Sequence, residues 1–481
     1  MVGFGALVLS LLGCSRFGGS DEDSSSRADG GADGGADGNS GPVTGVGIPE
    51  GCDLTKPIAN SPACVAEAVG VFASPSGNDA APGTRTEPVR SIAKATELAA
   101  RSNKSRLYLC AGDYTDSVEI TKSISIFGGL SCNGEDWQST GALTTWRATR
   151  SEFALRLARV KSRVSVVDVE LDAKDGVTPG QSSVAVIVAD SVDVVFERVV
   201  MVAGKAANGA SAVKKAVADY PAKGTQGANP FGGAGGLNVC PDGNSVGGKG
   251  GTVGDRDATV GVPASLGGGQ PGVAGEECSL TGAGHTGASG AAGSIAPPVA
   301  ERGRLNGSEW TPASGAAGTP GTKAQGGGGG GSRAGGGGGG GAGGCGGEGG
   351  APGKGGGASI ALISLGSKTT LIGTRLSSGA AGRGGDGAGG QPGQPGGGSG
   401  GGGVANTFPG CSGGDGGAGG GGGAGGGGAG GISTPILHQG AAPATTDTKL
   451  TKGTAGTAGI GGDELGPNGP DGAAQDMIKI D

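Results

Sequence analysis

Aromatic residues, histidines and excess positive charge are all scarce in this chain of 481 residues. Aromatic residues make up 3% of it, two histidines are present, and the formal net charge is -7. A protein that binds nucleic acid needs a basic surface for phosphates or aromatic rings for base stacking. We therefore expect no nucleic acid partner. The 119 glycines also limit how much of the chain can form a packed core.

Motifs for metal binding and catalysis are missing as well. No CxxC pair occurs, and His285 and His438 lie in glycine-rich or irregular stretches, which argues against a zinc site. No Gly-x-Ser-x-Gly follows a strand and opens a helix, and no Gly-Lys-Ser or Gly-Lys-Thr follows a strand. The sequence therefore predicts no metal site, no cofactor and no catalytic residue of these classes.

The chain begins with an apolar run, MVGFGALVLSLLGCS, that is too short to span a bilayer and ends with a small residue before Cys14. This ending resembles a bacterial lipobox, in which the signal is cut before the cysteine and the cysteine is acylated. The resemblance implies a signal peptide over residues 1–13 and a lipid anchor on Cys14. It places the protein at the cell envelope, on the outer membrane or the extracellular surface. No Lys or Arg precedes the run, so a buried N-terminal strand remains the alternative.

Residues 14–51 are polar, acidic and rich in Gly, Ser and Asp, without apolar periodicity. Three Ala-Asp-Gly repeats lie around Asp29, Asp33 and Asp37, but their four-residue spacing does not match the alternating ligands of an EF-hand calcium loop. We interpret the segment as a solvated tether between the anchor and a folded part.

Eight cysteines remain when Cys14 is set aside for lipidation. Their even number fits disulfides formed outside the cytoplasm. We expect sequential pairing, above all for the two N-terminal pairs, but eight cysteines allow 105 connectivities and the sequence leaves the others open. The disulfide candidates are Cys52, Cys64, Cys110, Cys132, Cys240, Cys278, Cys345 and Cys411.

Residues 52–204 have the composition of a folded domain. Residues 88–100 predict a short amphipathic helix, whose apolar face carries Val89, Ile92, Thr96 and Ala99. Three β-rich runs follow, RLYLC, SVEIT and SISIFGG, without the second helix that a βαβ unit needs. The segment is therefore mainly β.

The motif order GND…PGT…P…SI…A, followed by YLCAGDYTDSVEI…SISIFGGLSC…W, resembles the N-terminal cap and first rungs of pectin-lyase-like right-handed β-helices. The resemblance covers residues 71–137. It implies an all-β fold, a right-handed parallel β-helix capped by the short helix at its N-terminal end. Cys110 and Cys132 resemble a disulfide staple of exported members with glycine-rich tails, which are mostly of unknown function.

An internal repeat supports this fold. Residues 153–173 overlay residues 183–203 at an offset of 30 without a gap, which implies two consecutive coils. The apolar positions run i, i+2, i+5 and i+7, as in two short strands joined by a bend. Two outward pairs of opposite charge then coincide, and exposed pairs of this kind contribute about 0.2–1 kcal/mol each. They are Arg163 with Asp193 and Asp168 with Arg198.

A third copy lies far downstream, because residues 359–379 overlay residues 184–204 at an offset of 175. The β-helix therefore pauses and resumes. Glycine-rich insertions are expected at 205–357 and 380–431, with a resumed coil at 358–379 and an unassigned C-terminal segment at 432–481. Both insertions leave a coil after its second strand and a glycine, so we expect them to emerge from one edge.

The insertions contain long glycine runs and only snatches of Gly-X-Y, which rejects collagen. Low-complexity sequence of this kind is usually disordered. The alternative is ordered: extended helices with three residues per turn, hydrogen-bonded side by side. The stretches resemble the PGRS class of bacterial glycine-rich proteins, for which such sheets are proposed. The sequence leaves both alternatives open.

The pectin-lyase-like resemblance directs attention to carboxylates, since lyases of that fold use calcium-binding carboxylates with a base and glycosidases use paired Asp residues. The best acidic group is Asp168, Glu170 and Asp172, alternating on one strand face. The group has no acidic partner on the next coil, where the offset of 30 places Arg198, Val200 and Val202. We interpret it as a solvated face and expect no enzyme.

These features predict an exported cell-surface lipoprotein with a structural, adhesive or matrix-interaction role. Its expected partners are the membrane, through the anchor, and polysaccharide or other surface proteins. The alternative is a polysaccharide-binding or polysaccharide-degrading β-helix protein, by analogy of fold alone. An aromatic and carboxylate groove on the flank would favour this alternative.

Overall fold

The computed structural model describes residues 47–481 apart from residues 135, 151, 217–220, 256–257 and 406. The expected signal peptide, Cys14 and nearly all of the tether therefore lie outside the described residues. Within the described part, no helix is both long enough and apolar enough to cross a membrane.

Short strands and one α-helix make up the N-terminal part of the structure. Two 3-10 turns, Ile58–Asn60 and Pro62–Cys64, come first. The elements that follow are β1 (Gly70–Ala73), α1 (Ile92–Arg101), β2 (Arg106–Cys110), β3 (Asp113–Thr115), β4 (Val118–Ile120), β5 (Ser125–Leu130), β6 (Thr144–Arg147), β7 (Leu155–Ala158), β8 (Val164–Val167), β9 (Val169–Asp172), β10 (Ser183–Ala189), β11 (Val194–Glu197) and β12 (Val200–Val202).

The C-terminal part contains two antiparallel hairpins and a second series of short strands. The hairpins are β13 (Leu237–Cys240) with β14 (Gly243–Val246) and β15 (Gly303–Asn306) with β16 (Glu309–Pro312). Short helical turns occur at Ala264–Leu266, Cys278–Gly282 and Gly462–Glu464. The remaining strands are β17 (Ser359–Leu365), β18 (Thr369–Ile372), β19 (Arg375–Ser377), β20 (Ser433–Gln439), β21 (Ala444–Thr446), β22 (Lys449–Thr451) and β23 (Met477–Ile480).

The chain adds one strand in turn to each of three parallel sheets, in a fixed rotation. We call one passage through all three sheets a coil. The first sheet has the order β1-β2-β5-β8-β11-β18-β21. The second has β22-β19-β12-β9-β6-β3, and the third has β23-β20-β17-β10-β7-β4. The chain is thus mostly β with parallel sheets, which is compatible with a parallel β-helix.

The helix α1 confirms the predicted amphipathic helix but begins later than the pattern suggested. The Ser91 side chain caps it by accepting a hydrogen bond from the Lys94 backbone N–H at 3.1 Å. Val89 lies before this cap and bridges to Ala73 of β1 instead. Ile92, Ala95 and Ala99 form the buried face, which belongs to the core at the N-terminal end of the sheets.

Side chains from all three sheets meet in one apolar core. The first sheet contributes Leu107, Ile126, Val166, Phe196 and Leu371, and the second contributes Tyr114, Trp146, Leu171, Met201 and Leu376. The third contributes Val118, Leu155, Val186, Leu362 and Ile436. Burial of each large side chain stabilises the fold by about 1.5–3 kcal/mol. The period-two apolar pattern found in the sequence supplies these inward side chains and so accounts for the core.

The predicted offset of 30 holds in two sheets and is wrong by one residue in the third. Val164 pairs with Val194 in the first sheet, and Leu171 pairs with Met201 in the second, as expected. In the third sheet, however, Leu155 pairs with Val186, one residue beyond the predicted position. This register brings Leu155 and Val186 into the same core, whereas an ungapped register would turn one of them outward.

Left-handed residues mark the corners between sheets. One column comprises Arg159, Asp190, Gly366 and Gly440, with φ of 56°, 49°, 53° and 86°. A second comprises Asp168, Arg198, Gly373 and Asp447, with φ of 56°, 52°, 59° and 49°. A residue other than glycine in this region costs about 1 kcal/mol or more, so neighbouring coils must hold the corner in place. The bend predicted from the spacing of apolar residues lies at the second column.

The third copy stacks on the second in the structure. β18 pairs with β11, with Leu371 opposite Phe196, and β19 pairs with β12. The segment that had no assignment adds one more coil, because β20, β21, β22 and β23 pair onto the strands before them or onto each other. Both long insertions leave after a strand of the second sheet and return to the third, so they share one corner.

The described residues of the insertions follow the ordered one of the two alternatives that the sequence left open. Along residues 337–342 each backbone N–H donates to a neighbouring segment, and the acceptor segment changes with a period of three. Gly338 and Gly341 donate to Cys411 and Gly414 at 2.8 and 3.0 Å. Gly337 and Gly340 donate to Gly251 and Gly248 of a second segment. Gly339 and Ala342 donate to Thr225 and Ala222 of a third. We call the described residues of the two insertions, 205–357 and 380–431, the glycine bundle.

Close backbone packing explains why the bundle needs glycine. A methyl group added to Gly338 would overlap the carbonyl oxygen of Gly400, and one added to Gly340 would overlap that of Gly327. In residues 335–341 every position meets such an obstacle, because neighbours lie on all sides. Backbone hydrogen bonds thus replace the apolar core that this composition cannot supply.

Candidate functional site

The cysteines of the described part are all bonded. The structure joins Cys52 to Cys64 and Cys110 to Cys132, with Cα atoms 4.6 and 5.8 Å apart. The second of these is the staple that the family resemblance implied. The sequential expectation was wrong for the other four, since Cys240 bonds Cys345 and Cys278 bonds Cys411. The bundle folds back on itself, so cysteines that are neighbours in sequence lie on different segments. Cys14 lies outside the described residues.

Asp168 does not belong to an outward acidic face, which corrects the sequence interpretation. It lies at a corner, with only 6% of its side chain exposed, and its carboxylate accepts two hydrogen bonds from Arg198, at 2.7 and 2.9 Å. The hydrogen bonds that Arg198 donates to Asp168 raise the pKa of Arg198 further above its ordinary value. The pair is therefore confirmed as an ion pair, but it lies at a corner, with a buried carboxylate and a half-exposed guanidinium. The other expected pair, Arg163 with Asp193, is also present at 3.6 Å.

Glu170 and Asp172 do face outward, beside residues of earlier coils that the sequence comparison did not include. Arg147 pairs in register with Asp172, and it donates to Asp113 at 2.9 Å. Burial, followed by repulsion from Glu170, raises the pKa of Asp172, and Oδ1 of Asp172 has no hydrogen-bond partner among the described residues. Within the described part of the chain, no group of three or more His, Cys, Asp or Glu residues could hold a metal ion.

The two histidines lie on separate elements. His285 is exposed in the glycine bundle. His438 is 5% exposed on β20, in register with Ser364 of β17, and its Nδ1 has no hydrogen-bond partner among the described residues. Neither histidine is part of a metal-binding group in the described residues.

A cavity of about 210 Å³ lies between the hairpin β15–β16 and the outer face of the third sheet. Its apolar walls are Trp310 from the hairpin, Val184 and Ile187 from β10, and Phe153 just before β7. Trp310 is 9% exposed and belongs to an outer apolar cluster with Val184 and Ile187. The hairpin thus brings an aromatic side chain of the insertion against the flank of the coils.

Charged and polar side chains complete the cavity. Glu152 and Glu309 are exposed at its wall, and no salt-bridge partner holds either of them among the described residues. Arg156 also lines it, with Nε 3.8 Å from Glu119 of the preceding coil, although this nitrogen donates no hydrogen bond among the described residues. The arrangement joins aromatic side chains to carboxylates, which is the chemistry of a site for a polyhydroxylated ligand.

Trp310 differs from the other two tryptophans in its hydrogen bonding. The indole N–H of Trp137 donates to the Arg85 carbonyl at 3.2 Å, and that of Trp146 donates to the Asp116 carbonyl at 3.1 Å. The indole N–H of Trp310 has no acceptor in the described part of the chain. A buried donor left without an acceptor costs about 1–3 kcal/mol.

Sequence reasoning missed this site because Trp310 lies inside a glycine-rich insertion. A signal was available, since Gly307-Ser308, the two residues between the paired Asn306 and Glu309, has glycine at the first position of a two-residue hairpin turn. Gly307 has φ of 61°, as such a turn requires. The position of the hairpin over the third sheet depends on the long-range path of the insertion, which no local pattern encodes.

No family model matches this chain, and no curated protein does. Among solved structures it is similar to a selenomethionine derivative of GH136 lacto-N-biosidase from Eubacterium ramulus, with 14% identity, 28% of this chain and 27% of that chain covered, and a TM-score of 0.23. For the native form of that protein the identity is 11%, the coverage 26% and 30%, and the TM-score 0.17. For a rhamnogalacturonan lyase they are 15%, 31% and 40%, and 0.15. The chain spans less than half of each of these structures.

Proposed function

We propose that this chain is an exported, lipid-anchored surface protein with a structural or adhesive role, built as a right-handed parallel β-helix of the pectin-lyase-like type. The fixed rotation through three parallel sheets supports the fold. The four disulfides support export to an oxidising compartment. The lipobox-like residues ending at Cys14 support the anchor.

The glycine bundle is the observation on which the structural role rests. Its segments are hydrogen-bonded to several neighbours at once and are joined by two disulfides, so it is a rigid arm and not a flexible linker. The arm begins and ends at one corner of the coils. A rigid arm on a tethered surface protein suits contact with an extracellular matrix.

The anchor is tested by metabolic labelling with a palmitate analogue. The wild-type protein should be labelled and stay with the membrane fraction, whereas Cys14→Ala should be unlabelled and released. A membrane-impermeant lysine reagent applied to intact cells should modify exposed lysines such as Lys215 and Lys449. Equal labelling of both proteins by the palmitate analogue would remove Cys14 as the acylation site.

A second candidate function is binding or degradation of polysaccharide, and the cavity beneath the hairpin is the observation that favours it. Two carboxylates, Glu152 and Glu309, line that cavity. A screen of the purified protein for release of reducing ends from polysaccharides separates degradation from binding. We propose binding, because both carboxylates are exposed and neither has the buried setting that tunes a catalytic acid.

A further inference from the structure

We propose that the cavity between the hairpin β15–β16 and the third sheet binds one neutral pyranose residue of a polysaccharide. This inference deepens the adhesive function by naming its ligand, and it does not depend on the anchor at Cys14. Four features of the cavity carry it: its size, its aromatic and aliphatic walls, the unpaired indole N–H of Trp310 and its charge.

The size of the cavity and its aromatic walls favour a single sugar ring. The cavity of about 210 Å³ is smaller than the roughly 300–1,000 Å³ typical of pockets for drug-sized ligands. Trp310 and Phe153 line it, together with the aliphatic side chains of Val184 and Ile187. The C–H face of a pyranose packs on such surfaces while its hydroxyls remain free to bond at the rim.

One lining donor, Nε1 of Trp310, has no acceptor among the described residues. The other two tryptophans of the chain donate to backbone carbonyls, so Trp310 is the one tryptophan whose indole N–H lacks an acceptor in the described part. A hydroxyl oxygen of a bound sugar, reached by a small rotation of the Trp310 side chain, is a suitable acceptor. Ser308 and Gln181 at the wall add further polar groups.

The charge of the wall selects a neutral sugar over a uronate. Glu152 and Glu309 accept hydrogen bonds from hydroxyls but repel another carboxylate. The guanidinium of Arg156 already lies near Glu119, and that of Arg150 lies over the Phe153 ring at 5.6 Å. Neither cation is therefore free to compensate a uronate.

The test is a fluorescence titration of the full chain with methyl glycosides of neutral hexoses and, in parallel, with methyl glycosides of uronic acids. Trp137 and Trp146 are 4% and 0% exposed and away from the cavity lining, so the response reports on Trp310. We expect saturable binding of neutral hexosides in the millimolar range. Glu309→Gln and Glu152→Gln should each weaken it about tenfold, and Glu301→Gln, an exposed control in the same insertion, should leave it unchanged.

Trp310→Phe keeps an aromatic ring in the apolar cluster and removes the reporting indole, so the response should vanish while the melting temperature is kept. Three outcomes would overturn the proposal. The first is a lack of saturable response to every neutral hexoside, and the second is tighter binding of uronates. The third is a full response in Trp310→Phe, which would assign the signal to another site. None of them bears on the labelling of Cys14.

Discussion

At the scale of single residues, glycine has two distinct roles in this protein. At the corners, Gly366 and Gly373 have positive φ. Asp190 and Arg198, at the equivalent positions of the preceding coil, adopt the same conformation at a cost in strain. In the bundle, glycine is required because the backbones approach too closely for a side chain. Charged residues such as Lys215 and Glu348 lie at exposed positions of the bundle, whereas some of its alanines, such as Ala324 and Ala342, are fully buried.

The packing requirement can be tested on two consecutive glycines. A methyl group on Gly420 would overlap the carbonyl oxygen of Ala291, whereas one on Gly421 has a single neighbour, 3.9 Å away. Gly420→Ala should therefore destabilise the bundle by about 1–3 kcal/mol. Gly421→Ala should be neutral or slightly stabilising, because it lowers the entropy of the unfolded chain. Differential scanning calorimetry measures both, and equal melting temperatures for the two variants would contradict this account of the glycines.

Asp172 offers a test by pH, because its pKa is raised in the folded state by burial and by Glu170. The folded protein then binds the proton more tightly than the unfolded chain, so stability falls as pH rises through this region. Asp172→Asn should raise the melting temperature at pH 7. The gain should disappear when the pH falls below the ordinary pKa of an aspartate. A lower melting temperature at pH 7 would mean that the carboxylate is stabilised by its surroundings, contrary to the structure.

At the scale of elements, the resumed coil connects the two parts of the chain. Leu371 of β18 is buried against the core and pairs with Phe196 of β11. Thr370, next to it, faces outward and is half-buried. The same strand therefore provides an inward position and a matched outward control.

Leu371→Asp should destabilise the coils before the insertion as well as those after it, since it buries an unpaired charge in a shared core. We expect a loss of several kcal/mol, about 3–5, which is typical of the largest core defects. Thr370→Asp should cost much less. Hydrogen exchange of β7 to β9 measures the effect, and unchanged protection there in Leu371→Asp would make the third copy a separate element.

The disulfide pattern is a second test at this scale. Non-reducing peptide mapping should recover Cys240 linked to Cys345 and Cys278 linked to Cys411. Sequential links, Cys240 with Cys278 and Cys345 with Cys411, would contradict the path of the bundle. Loss of either bundle disulfide should cost about 2–5 kcal/mol, seen as a lower melting temperature for a double Cys→Ser variant.

Local pattern accounts for much of the fold and for little of the candidate site. The spacing of apolar residues gave the coils, the corner at Asp168 and the stacking of Arg198 on it, because coil periodicity is a short-range property. It failed by one residue at Leu155 and Val186, where the corner lengths of successive coils differ. It could not place Trp310, because the hairpin reaches the third sheet only through the path of the whole insertion.

At the scale of the whole molecule, two kinds of order are joined in one chain. The coils are held by a continuous apolar core drawn from three parallel sheets. The bundle has little apolar side chain and is held by backbone hydrogen bonds and two disulfides. Ordering a residue costs about 1–2 kcal/mol of backbone entropy and more for glycine, so the bundle depends on the completeness of its hydrogen bonding.

Hydrogen exchange followed by mass spectrometry of residues 335–357 tests this claim most directly. Every backbone N–H of residues 337–342 donates to a neighbouring segment, so we predict for these residues protection approaching that of the core strands β10 and β17. Reduction of the disulfides should lower the protection of residues 335–357 before that of β10 and β17. Complete exchange of residues 335–357 within the dead time, while β10 and β17 remain protected, would show that the glycine-rich insertion is disordered and would contradict the account.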